Sequence, residues 1–380
     1  MKPIATAALL LLLTTSAHAA SVNAGDHKPS TTKPFAATEV ASFDTPWALA
    51  FLPDGRMLVT EKPGHLFLVT EGGQKMPIGN VPAVAAKGQN GLLDIAPSPN
   101  FTRDQIVYLT YVAPEGSGGT LMLARAKLSL EEVDGRGRLD DLVVIWRQTP
   151  EGGGGQPGGI IAFDPAGTHL FLTVGDRMRP ESAQNPDEAR GKVLRVTLDG
   201  KAAPDNPDAA AGGVRGETWS TGHRNPYGLA FAPDGALWLN EMGPRGGDEL
   251  NLIEPGRNYG WPIVSNGDNY NGTAIPRHAT RPEFAAPALY WNPVIAPAGL
   301  VFYEGSMFPQ WRGSAFIGGL AVDALVRVTF DGKGNANETE RWEMGARIRD
   351  VAVAPDGALW LIEDDDPGRL LRLVPAKPPS

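Results

Sequence analysis

The sequence contains no cysteine, so no disulfide framework and no cysteine-ligated metal centre is available to it. It has six histidines, none paired at a zinc-type spacing, and 34 Lys and Arg against 43 Asp and Glu. With a formal net charge of −9 and no basic run, a nucleic-acid partner is excluded. Long apolar runs are missing apart from one near the start, Ile4 to Leu13, which is too short to span a bilayer. Helical periodicity is weak along the whole chain.

What is present begins with that run. Lys2, the apolar stretch and Ala17-His18-Ala19 form a secretory signal over residues 1–19, which implies a periplasmic or secreted protein. Residues 20–36, AASVNAGDHKPSTTKPF, are polar and rich in Pro, Ser and Thr, and predict a disordered lead-in. A single large domain is then expected over 37–376. Export without cysteine means that its stability must come from a packed core. Forty-six glycines and 34 prolines beside nine tryptophans suit many short strands joined by tight turns.

A repeat supports this. WALAFLPDGRMLVTE from Trp47, LLDIAPSPNFTRDQIVYLTYV from Leu92, GIIAFDPAGTHLFLTVGD from Gly159, GLAFAPDGALWLNEMG from Gly228 and VAVAPDGALWLIEDDD from Val351 share one plan. Each has an apolar strand, a turn of the Pro-Asp-Gly type, and a second apolar strand. A weaker copy starts at Ala298. Six such hairpins predict an all-β fold, a six-bladed β-propeller; a pair of β-sandwiches is the alternative. Propeller loops gather around one axis, so a ligand site is expected on one face.

The loops between hairpins carry GHRNPYGLAF (from Gly222), NEMGPRGGDELNLI (from Asn240), PGRNYGWPIVSNGD (from Pro255), NPVIAPAGLVFYEG (from Asn292) and ARIRDVAVAPDG (from Ala346). In this order they resemble the soluble PQQ-dependent glucose and aldose sugar dehydrogenases over nearly the whole mature chain. The resemblance implies a six-bladed propeller that binds pyrroloquinoline quinone (PQQ) and calcium on its axis. It implies oxidation of aldoses at C1 to lactones, with electrons leaving to a respiratory acceptor, by a monomer or homodimer.

By resemblance, Arg224, Asn225, Arg347 and Arg349 contact the cofactor. Arginine suits a tricarboxylate because its planar fork binds carboxylates bidentately, and positions i and i+2 of a strand share a face. Gln89 matches a polar contact at the reacting end. The carbonyls of Gly243 and Pro244 match ligands of the calcium that bridges protein and cofactor, and calcium prefers oxygen donors. Glu249, Tyr259 and Asp268 resemble a second, structural calcium site; a solvated acidic loop is the other reading of Asp268. Trp291 or Asn292 lies where the family has a tryptophan over the cofactor.

Two departures matter. The glycine-rich stretch EGGGGQPGGIIAFDP, Glu151 to Pro165, matches the segment in which the family carries its histidine general base. Here Gln156 fills the histidine position and Ile160 a following arginine. A glutamine can hydrogen-bond a hydroxyl but has no useful basicity. Asp176 and His223 are candidate substitute bases, with a structural histidine the other, favoured reading of His223. Ala321 stands where the family has a lysine that helps neutralise the cofactor. These departures leave open a non-catalytic propeller that binds PQQ or another anion, and, further off, a calcium-dependent lactone hydrolase.

Overall fold

The computed structural model describes residues 21–131 and 136–376; the expected signal segment, 1–19, lies outside them. The fold is all-β, with the described strands arranged in five sheets and only short helical turns such as Phe101–Asp104 and Gly213–Glu217.

Each recurring hairpin forms for the same local reason. In the first, Pro46–Phe51 pairs antiparallel with Met57–Glu61. The turn closes because Asp54 Oδ1 accepts the Arg56 N–H and Gly55 takes φ +86°, a left-handed conformation that glycine reaches without steric cost. The same Asp-Gly chemistry recurs at Asp234-Gly235 and Asp356-Gly357.

Four sheets contain the four-strand antiparallel unit, one of them carrying an extra N-terminal strand. The fifth has eight strands, because Lys75–Gly79 pairs in parallel with Arg136–Arg147 and so joins two such units edge to edge. The innermost strands neighbour one another in a closed ring: Pro46–Phe51, Leu92–Pro97, Gly158–Phe163, Pro226–Phe231, Pro297–Phe302, Ile348–Val353, and back to Pro46–Phe51. They surround an axial cavity of about 360 Å³. Side-chain carboxylates tie neighbours in this ring, since Asp350 Oδ2 accepts the Leu49 N–H at 2.8 Å and Asp94 Oδ2 the Ile161 N–H at 2.7 Å. One sheet joins segments far apart in sequence, where Phe35–Phe43 pairs with Gly368–Pro375.

The core lies between sheets. Trp291, Trp311, Trp360, Phe308 and Phe316 are fully buried, and Trp311 stacks on Phe308 at 3.8 Å between ring centroids.

The expected disordered lead-in is corrected from residue 21 onward. Val22–Asn23 adds to the edge strand Leu289–Trp291, and Arg341 donates to the Ala24 carbonyl at 3.0 Å. Phe35 is buried against Trp311 and Trp342. Polar composition hid two things that order a segment: an open sheet edge that takes backbone pairs, and one aromatic anchor.

Candidate cofactor site

The glycine-rich loop is close-packed rather than a free linker. A side chain at Gly155 would meet Gln89 Oε1 at 2.5 Å, and one at Gly175 would meet the Gln156 carbonyl at 2.1 Å. Arg177, fully buried, fixes the loop from beneath by donating to Asn90 Oδ1 and to the carbonyls of Gly155 and Gly119. Gln156 is held at φ +54°, a conformation rare for a non-glycine residue and characteristic of functional positions. Its N–H donates to Gln89 Oε1 at 2.7 Å.

The Gln156 side chain lies between a carboxylate and a guanidinium. Its amide is satisfied when the NH2 donates to Asp176 Oδ1 at 2.5 Å and the carbonyl accepts from Arg224 Nη2 at 2.8 Å. Asp176 is 1 % exposed and also accepts from Trp261 Nε1 and the Met178 N–H, both at 2.9 Å. Burial pushes its carboxyl up to about 6, against the pull of the Trp261 hydrogen bond and the Arg224 charge.

Arg224 is the hub. Its backbone N–H donates to Glu241 Oε2 at 2.6 Å, its Nη1 donates to the carbonyls of Met242 (3.0 Å) and Gly243 (2.6 Å), and its guanidinium faces Trp261 and Tyr270. The adjacent Asn225 is fully buried. Arg347 and Arg349 share Asp364, at 2.6 and 2.8 Å. Arg349 packs 4.2 Å over Trp47, and its Nη1 is buried without a partner. A buried guanidinium with a free N–H fits a carboxylate or carbonyl oxygen of an anionic planar ligand. Arg347 reaches the Leu320 carbonyl at 3.2 Å, next to Ala321 in the sequence.

The expected calcium ligands divide. Gly243, Pro244, Glu249 and Tyr259 line one small cavity together with Glu241. The Gly243 turn is fixed by its N–H donating to Asp248 Oδ1 at 2.8 Å. Main-chain carbonyls beside carboxylates suit a hard cation, and one of them already serves the Arg224 guanidinium. Glu249 contacts His278 Nε2 (3.2 Å) and Asn251 Nδ2 (3.1 Å). The Tyr259 phenol is committed to the Leu252 carbonyl and the Glu254 N–H, which leaves its main-chain carbonyl as the available oxygen. Asp268 does not line that cavity and is paired with Arg277 at 2.7 Å. Among the described residues, no three His, Cys, Asp or Glu side chains are grouped to hold a metal ion.

One alternative is decided, in favour of a structural His223, and one expectation is corrected. His223 is fully buried and lies between Ser220 Oγ and Glu241 Oε1, both at 2.9 Å; it faces the interior and cannot meet a substrate. Trp291 is fully buried and donates to Glu338 Oε2 at 2.6 Å, so it is a core residue, not a lid over the ring axis. Ile160 lines the axial cavity. Arg177 and Trp261 were not singled out from the sequence. Trp261 sits inside the NYGWP motif, and that motif was the one signal that could have flagged it.

The family described as Glucose / Sorbosone dehydrogenase matches residues 43–372. The aldose sugar dehydrogenase YliI of Escherichia coli K12 is 40% identical over 344 residues, which span 87% of this chain and 90% of the relative. A crystal structure of a glucose dehydrogenase superposes with a TM-score of 0.83 at 43% identity, covering 90% of this chain and all of the other. The PQQ-bound form of an aldose sugar dehydrogenase from Streptomyces coelicolor superposes with a TM-score of 0.73 at 29% identity, covering 91% and 99%. The fold and these likenesses thus define an all-β oxidoreductase of the PQQ-domain type. The chain belongs to the glucose/sorbosone dehydrogenase family.

Proposed function

We propose that the protein is a six-bladed β-propeller that binds PQQ and calcium and oxidises aldoses, or related alcohols, at C1 to lactones in the periplasm. Six four-stranded units around a closed inner ring support the propeller, and Lys2 with the apolar run and Ala-His-Ala supports export. The observation that carries the functional reading is a pair of buried guanidinium groups at the inner ring: Arg224, which holds Gln156, and Arg349, which packs over Trp47 and Tyr227 with an unpartnered N–H.

Arg224, Asn225, Arg347 and Arg349 would hold the cofactor, with Gln89 at its reacting end, and the Gly243 and Pro244 carbonyls would hold the bridging calcium. Glu249 and the Tyr259 carbonyl would serve a second calcium, with Asp268 contributing only if Arg277 releases it. When bound, the quinone supplies the hydride acceptor, and calcium raises its electrophilicity. The chain itself neutralises the carboxylates and orients the sugar hydroxyl through the Gln156 carbonyl. A respiratory acceptor would take the electrons onward.

A second reading, a propeller that binds PQQ or another anion without turnover, is favoured by Gln156 and Ala321. Titration with PQQ in calcium-containing buffer, followed by dye reduction with a panel of aldoses, separates the two. Calcium-dependent binding with dye reduction supports the dehydrogenase. Binding without reduction supports the binder, and no binding overturns the dehydrogenase and leaves the second reading only for another anion. Calcium-dependent lactone hydrolysis indifferent to PQQ would instead favour a hydrolase.

A further inference from the structure

We propose that Asp176 takes the substrate proton in this protein, and that Gln156 conducts it there through its side-chain amide. The inference rests on the dehydrogenase reading and deepens it.

The geometry is a line of three groups. The Gln156 carbonyl accepts one hydrogen bond from Arg224, which leaves its second lone pair for a hydroxyl. The other end of the same amide donates to Asp176 at 2.5 Å. Gln156 is 6 % exposed and Asp176 1 %, so the carboxylate lies behind the amide and a sugar reaches it only by way of Gln156. The φ of +54° and the bond from the Gln156 N–H to Gln89 hold the amide in this position.

The step balances. As the C1–H bond breaks and its electron pair leaves as hydride to the quinone, the C1–O1 bond becomes a carbonyl. The O1 proton moves to the Gln156 carbonyl oxygen while an amide N–H proton moves to Asp176 Oδ1. Gln156 is left as the imidic acid tautomer and Asp176 as the acid; once the lactone leaves, the Asp176 proton returns to the Gln156 nitrogen and the imidic O–H proton passes to solvent, which restores both. The substrate is oxidised and the quinone reduced, and the amide gains and loses one proton.

The surroundings of Asp176 fit a proton acceptor. The positive groups facing it are Arg224 and, on its own segment, Arg177; the negative one is Glu241, which faces it across the Arg224 backbone. Trp261 and the Met178 N–H complete its hydrogen bonds. Burial dominates and raises its carboxyl to about 6, so the base is ionised at neutral pH yet strong enough to take a proton.

The test uses the full mature protein loaded with PQQ and calcium. Wild-type kcat/KM with an aldose should fall as pH drops below about 6, because the base is then protonated. Asp176→Asn should lower kcat by about 10²–10⁴-fold with KM little changed and remove that acid limb. Gln156→Leu should lower kcat comparably while Asp176 still titrates; its protonated-carboxyl infrared band, followed in protein without cofactor, shows this independently of turnover. An intact thermal transition guards against misfolding in either variant. Full activity in Gln156→Leu, or an unchanged acid limb in Asp176→Asn, overturns the relay. A wild type that is silent beside an active Gln156→His also overturns it, and leaves the dehydrogenase scaffold standing. If neither turns over, the dehydrogenase reading itself falls.

Discussion

The Arg224 guanidinium donates to the Gly243 carbonyl across 2.6 Å, so a cationic side chain stands on an oxygen that the proposed calcium would use. Guanidinium and metal are like charges on one oxygen and repel each other, so the metal gains that carbonyl more readily when Arg224 lets go. A charged hydrogen bond of this kind is worth about 1.5–3 kcal/mol, or about ten- to a hundredfold in affinity. Arg224→Gln should therefore bind calcium more tightly than wild type in the absence of PQQ, and PQQ more weakly in its presence. Calorimetric titration of both proteins checks this; equal calcium affinities would show that Gly243 is not a ligand.

Ser220, His223 and Glu241 are aligned like a hydrolytic triad but are all buried. The contact of the His223 ring with Tyr259, stacked at 4.9 Å, and the bond from Glu241 to the Arg224 N–H make the group a brace for the Arg224 loop. Ser220→Ala should cost about 1 kcal/mol of stability, the worth of one hydrogen bond, and leave dye reduction within about twofold of wild type. Denaturant unfolding and steady-state assay check the two halves. Loss of esterase or lactonase activity in this variant would overturn the reading.

The hairpins were legible because their cause is local. Asp54-Gly55, Asp234-Gly235 and Asp356-Gly357 write their turns into adjacent residues. Non-local pairings were not legible: the parallel union of Lys75–Gly79 with Arg136–Arg147, and the edge that captures Val22–Asn23, depend on where distant strands arrive. The site divides in the same way. Arg224, Arg349 and Gln156 stand in recognisable motifs, whereas Trp261 reaches Asp176 from 85 residues away, and no pattern in either segment announces the contact. Asp268 was given by resemblance as a calcium ligand beside the reading of a solvated acidic loop; its ion-pair partner Arg277 lies nine residues on, and no pattern in the sequence marks that pairing.

Lys192 is fully buried, and its ammonium donates to three carbonyls, of Ser182, Ala183 and Arg190. These bonds close the turn Pro180–Gln184 that follows Asp176. Lys192→Met keeps the volume but leaves the buried Arg190 carbonyl unpaired, at about 1–3 kcal/mol, while the Ser182 carbonyl keeps the Asn185 N–H and the Ala183 carbonyl keeps the Gly222 N–H and the Thr221 hydroxyl. The variant should lose about 1–3 kcal/mol by denaturant unfolding, and its turnover should fall as the Asp176 segment loosens. A loss below about 1 kcal/mol would mean that water replaces the ammonium.

Asp364 supplies the pH dependence with the clearest sign. Burial alone would push its carboxyl up, but Arg349 and Arg347 together hold it below the usual carboxylate value. A carboxyl depressed in the folded state adds stability that is fully present above the unfolded value, 3.8, and is lost as pH falls through the folded one. Arg349→Gln removes the larger pull and leaves Asp364 with Arg347 alone. The variant should be less stable than wild type by about 1–3 kcal/mol at pH 7, and the gap should close under acid, as Asp364 protonates in both proteins. Thermal unfolding from pH 7 down to pH 3 checks it. A gap constant over that range would assign the loss to the packing of Arg349 over Trp47 rather than to charge.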